Sequence, residues 1–144
     1  MKKTIIIFVS ILILLSFVGC EWIGELGESI GDFLSDLPEQ TEIKGHSINW
    51  VNDYEPRPES IRIWWGWAGN SDGHILERKA PNDENEGFQQ IMREEKGEWT
   101  DTGDKLRDGE LISGETYIYR VCGYNDNGEG DWSEEYTVVV PSEP

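Results

Sequence analysis

Residues 111–124 read Leu111-Ile112-Ser113-Gly114-Glu115-Thr116-Tyr117-Ile118-Tyr119-Arg120-Val121-Cys122-Gly123-Tyr124. From Thr116 onward the side chains alternate with period two, the spacing of a strand with one buried face. That alternation points Tyr117, Tyr119, Val121 and Gly123 inward, and Ile118, Arg120, Cys122 and Tyr124 outward. Upstream, Ile61-Arg62-Ile63-Trp64-Trp65 follows the same rule. Ile61, Ile63 and Trp65 take its inward positions, leaving Arg62 and Trp64 outside.

Further short runs complete the set. Ile48–Val51 reads as a first strand, Ile75–Lys79 as a third with Leu76 inward, and Phe88–Met92 as a fourth. Trp99-Thr100 is a short fifth, and Tyr136–Val140 closes the series. Turn-forming residues separate the runs, as in Gly66–Gly73 and Pro81–Gly87. Seven short strands with no helical period between them predict an all-β sandwich over residues 42–141, with 142–144 as a tail.

Leu111 stands six places before Tyr117, and the strand it precedes is followed by Asn125, Gly128 and Trp132-Ser133. This pattern resembles the end of a fibronectin type III domain. Ile61-x-Ile63-x-Trp65 resembles that family's second strand, and Gly73–Arg78 its third, with His74 where a tyrosine is common. Thr100-Asp101-Thr102-Gly103 is similar to a Thr-Asp-Thr found in bacterial members, followed here by a longer connection, Asp104–Glu110. The resemblance implies a seven-stranded, immunoglobulin-like sandwich. Trp65 and Leu111 would lie in its core, and Tyr117 would be the corner tyrosine whose hydroxyl bonds nearby backbone.

Charge limits the partners. The 144 residues carry 29 acids and 12 bases, a net charge of −17; without residues 1–19, which hold Lys2 and Lys3, 29 acids face 10 bases, giving −19. Such a chain repels phosphate backbones and anionic lipid headgroups, so no nucleic-acid partner is expected. A partner must be neutral, basic or bridged by cations.

The N-terminus reads as an export signal. Met1-Lys2-Lys3 precedes an apolar run from Ile5 to Val18, too short to span a bilayer and suited to a secretory signal peptide over residues 1–19. The run ends in Phe17-Val18-Gly19-Cys20, which resembles the lipobox of bacterial lipoproteins. That resemblance implies diacylglyceryl transfer to Cys20 and a protein anchored in the cell envelope, facing outside the cytoplasmic membrane. An uncleaved signal anchor, or an ordinary signal peptide with an incidental cysteine, is the other reading of the run. Residues 20–41 then form an acidic tether. On a helical wheel Trp22, Ile23, Leu26, Ile30, Phe33, Leu34 and Leu37 share one arc, opposite Glu21, Glu25, Glu28, Asp32 and Asp36. Gly24, Gly27 and Gly31 weaken any helix there, so a flexible linker is equally compatible.

The sequence carries no nucleophile–base pair, histidine-rich metal motif or phosphate loop. Two Asn/Asp-rich loops, starting at Asn82 and Asn125, fail as calcium loops because Arg93 and Tyr136 stand where a bidentate Glu is required. No catalytic residue, metal or cofactor is expected. The expectation is a membrane-tethered, non-catalytic binding or spacer module for protein–protein interaction. A carbohydrate-binding surface lipoprotein for neutral glycans is the alternative, with Trp64, Trp67 and Tyr124 as ligand-binding candidates. His46 and His74 read as structural histidines, and Cys122 as a partly covered lone thiol or an intermolecular disulfide partner.

Overall fold

The computed structural model describes residues 31, 35–51, 58–81, 87–104 and 109–142. The signal peptide, Cys20 and nearly all of the tether lie outside the described residues. Residues Leu37–Pro144 form one unit. Its strands are β1 (Ile43–Trp50), β2 (Pro58–Trp65), β3 (Gly73–Lys79), β4 (Gln89–Glu94), β5 (Glu98–Asp101), β6 (Thr116–Asn125), β7 (Gly128–Glu129) and β8 (Tyr136–Val139). They build two antiparallel sheets, one ordered β1-β2-β5 and the other β4-β3-β6, with β7 and β8 both pairing β6. The result is the expected all-β sandwich. Of the eight strands among the described residues, β7 is a two-residue piece formed by the turn after β6.

The alternation read from the sequence sets the core. Ile61, Ile63 and Trp65 of β2 face Leu76 of β3 and Tyr117, Tyr119 and Val121 of β6, with Ile91, Met92, Leu111, Val138 and Val140 filling the remainder. Gly123 is buried too, against Pro38 and Ala68. A Cβ at Gly123 would stand 2.8 Å from that of Pro38, so only glycine allows the approach. Gly114 makes the turn into β6 with φ +82°, a conformation costly for other residues.

Several expectations are corrected. The first strand begins at Ile43, five residues before the expected Ile48. It is an edge strand, half-buried and mostly polar, so its hydrophobic pattern is faint. Cys122 points outward from its sheet as expected but is completely buried rather than partly covered. Trp132 lies outside the core and stacks on Arg120, its ring 4.4 Å from the guanidinium carbon.

Candidate functional site

A cluster of polar groups inside the sandwich is bonded together. Arg78 lies at the inward position two residues after Leu76, fully buried, and its Nη1 donates to both carboxylate oxygens of Asp101 at 2.6 and 2.7 Å. The Tyr119 hydroxyl donates to Asp101 Oδ2 at 2.8 Å, and the Gly103 amide donates to Oδ1 at 3.0 Å. Burial, together with the Asp101 charge, raises the Tyr119 pKa well above its ordinary range. A carboxylate so consumed, with almost no solvent contact, holds sheets together.

A tyrosine closes the turn that leads into β6. Tyr117 is buried beside Leu111, and its hydroxyl accepts the Ile112 amide at 2.8 Å. Trp65 is buried in the core, its Nε1 without a hydrogen-bond partner among the described residues.

The end of the sandwich carrying the β2–β3 loop has a different construction. His74, fully buried, accepts the Ala68 amide at Nε2 over 3.1 Å, which leaves Nδ1 as the protonated nitrogen donating to the Lys96 carbonyl at 3.0 Å. Both ring nitrogens are therefore used by the neutral tautomer. Burial pulls the His74 pKa below its ordinary 6.5, and the Lys96 carbonyl opposes that shift. The imidazole meets two indoles edge-on: Trp65 on the core side at 5.8 Å, and Trp67 at 4.7 Å with an interplanar angle of 87°. Trp67 itself is 57 % exposed. The backbone on either side of it is tied down. Gly66 donates to the Glu42 carbonyl and accepts the Thr41 hydroxyl at 2.6 Å, while the Ala68 carbonyl accepts the Ser71 hydroxyl at 2.7 Å. Residues 38–41 pack here as well, through Glu39 N–H to the Gly69 carbonyl and the Gln40 amide to the Trp132 carbonyl. Trp67, Gly66, Lys44 and Gln40–Glu42 line a depression of about 340 Å³. A neighbouring cleft of about 210 Å³ shares Gln40–Glu42 and continues to Glu134, Glu135 and Tyr136.

The other two ligand candidates lie elsewhere. Trp64 faces outward from the β1-β2-β5 sheet, and its indole lies across Gly45 of β1, where a Cβ would come within 2.6 Å of Cζ2. This packing covers a bare edge glycine and accounts for the residue structurally. Tyr124 belongs to the outer face of the opposite sheet. The Arg93 guanidinium stacks on its ring at 4.1 Å and pairs with Glu129 at 2.8 Å. On that same face Arg120 is held between Phe88 and Trp132 and bonds Glu77 at 2.8 Å. Cys122 lies among Glu77, Arg93, Arg120 and Glu129, and burial foremost pushes its thiol up to about 12. Trp64 and Tyr124 thus sit on opposite faces and form no common platform with each other. Among the described residues no group of three or more His, Cys, Asp or Glu could hold a metal ion.

Two sheets ordered in this way, closed by a corner tyrosine, define a fibronectin type III-like β-sandwich. The sixth fibronectin type III domain of the human fibronectin type III domain containing protein 3 superposes with a TM-score of 0.52 at 17 % identity, over 74 % of this chain and 89 % of that domain. A crystal structure designated FN3tt superposes with a TM-score of 0.50 at 12 % identity, over 74 % of this chain and 97 % of the other. At such identities the likeness is one of fold. Neither a family model nor a curated protein sequence matches the chain.

Proposed function

We propose that this chain is a non-catalytic binding or spacer module, tethered to the membrane through lipid on Cys20 and presenting its sandwich outside the cytoplasmic membrane for protein–protein interaction. One observation carries the reading: an export-type N-terminus ending in Gly19-Cys20 precedes a sandwich whose interior polar groups serve its own packing. Stable anchoring needs more than a single acyl chain, which a lipoprotein modification would supply. The experiment is metabolic labelling with an alkyne fatty acid, followed by cell fractionation and a pull-down from native envelopes. Wild type should be labelled and sediment with membranes, and Cys20→Ser should do neither. Equal labelling of both would sink the tether, and an envelope pull-down that retains no partner would leave only the spacer role.

A further inference from the structure

An exposed tryptophan usually has a flexible backbone or a packing duty to explain it. Trp67 has neither. Its neighbours Trp65 and Ala68 are buried, and hydrogen bonds fix the backbone at Gly66 and Ala68. His74 steadies the indole through a T-shaped contact, ring centroids 4.7 Å apart. Tyr124, by contrast, is already capped by Arg93, and Trp64 already covers Gly45. Trp67 is therefore pre-ordered, and a ligand would not have to pay for immobilising it.

The surroundings specify the chemistry. Of the charged side chains lining the depression and the cleft beside it, three are acids, Glu42, Glu134 and Glu135, and one is a base, Lys44. Lys44 is paired with Glu42. Glu134 and Glu135 are exposed and have no side-chain partner among the described residues. A complementary group must stack on an indole and also carry positive charge. Guanidinium does both, stacking on an aromatic face while donating to carboxylates, and an ammonium does so less well.

We propose that the Trp67 end of the sandwich docks a basic, arginine-bearing segment of a partner protein. Trp67 takes one guanidinium, and Glu134 and Glu135 take cations further along the same segment. This inference rests on reading the chain as a binding module and names the partner's chemistry. It also agrees with the net charge of −17, which draws a basic partner in over longer range.

The test uses the full chain in neutral detergent and fluorescent octapeptides with Arg, Lys, Gln or Glu alternating with Ser. The Arg peptide should bind best, the Lys peptide less, and the Gln and Glu peptides not at all. Trp67→Ala should lose about tenfold in affinity for the Arg peptide, with Trp67→Phe intermediate. Glu134→Gln and Glu135→Gln should each lose about threefold and flatten the salt dependence. Trp64→Ala, on a sheet face, should bind as wild type. Equal binding by wild type and Trp67→Ala, or no preference for Arg over Gln, would overturn the proposal. So would a neutral oligosaccharide that shifts Trp67 emission where the Arg peptide does not. If Trp67→Ala retained the same envelope partners as wild type, this site would be wrong while the binding-module reading stood.

Discussion

Arg78 and Asp101 belong to strands of different sheets, β3 and β5, and meet between them at 2.6 Å with almost no solvent contact. The pair fastens one sheet to the other, and the Tyr119 hydroxyl strengthens the joint. Removing both charges from water is costly, so such a pair specifies an arrangement more securely than it adds net stability. Arg78 Nε and Nη2 have no hydrogen-bond partner among the described residues, which limits the return further.

Breaking the pair from one side should therefore hurt more than replacing it. Asp101→Asn is expected to cost about 3–5 kcal/mol by leaving Arg78 buried and unpaired. The double variant Arg78→Met/Asp101→Leu should recover a large part of that loss. Urea denaturation of Arg78→Met, Asp101→Leu and the double variant measures the coupling. A double variant as unstable as the sum of the singles would contradict the account.

The corner and the core differ in scale. Trp65→Ala should cost about 3–5 kcal/mol, as for other buried aromatics cut back to alanine. Tyr117→Phe should cost about 1–2 kcal/mol, because the Ile112 amide loses its acceptor. Denaturation midpoints at matched slopes separate the two.

His74 gives the domain a pH dependence with a definite sign. Its folded pKa lies below 6.5, so the unfolded chain binds the proton more readily and stability rises with pH through the interval just below 6.5. Acidification through that interval should destabilise the domain and, by charging Nε2, break the Ala68 bond that steadies Trp67. His74→Gln should flatten this part of the profile. Chemical denaturation across the interval, followed by Trp67 emission, reads both effects, and an unchanged profile in the variant would count against them.

Cys122 should behave as an inert thiol. With its pKa pushed up to about 12 and its side chain buried, native protein at mildly alkaline pH should react with iodoacetamide only through local opening. Denatured protein should react at the rate of a free cysteine. Rapid alkylation of native protein would show that the aromatic–arginine cover over the sheet does not hold.

The strands that bury one face fully, β2 and β6, were legible because alternation is strongest where one side is dry and the other wet. Strand β1 is faint in the sequence because Lys44, His46, Ser47 and Asn49 give an edge strand little apolar contrast. Arg78 stood at an inward position by simple alternation from Leu76, yet its burial depends on Asp101, 23 residues away in the other sheet. A partner brought in by tertiary structure has no local signature. Cys122 followed its assigned face but not its assigned exposure, since long arginines and aromatic rings from neighbouring segments fold over that face. Trp67 could be anticipated from the turn after β2. Its clamp could not, because His74 and Lys96 reach it from segments whose meeting only the fold determines.

Pro38 sits against Gly123, and a side chain at Gly130 would strike its carbonyl. The next three residues are bonded to two segments, the β2–β3 loop at Gly69 and Gly66 and the stretch before β8 at Trp132. A mechanical load arriving from the N-terminal side would thus be divided among both loop-bearing edges of the sandwich before the first rung of the β1–β2 ladder carried any of it. Glycine at 123 and 130 is what permits this seating, so bulkier residues there should make the entry point the first part of the domain to yield under tension.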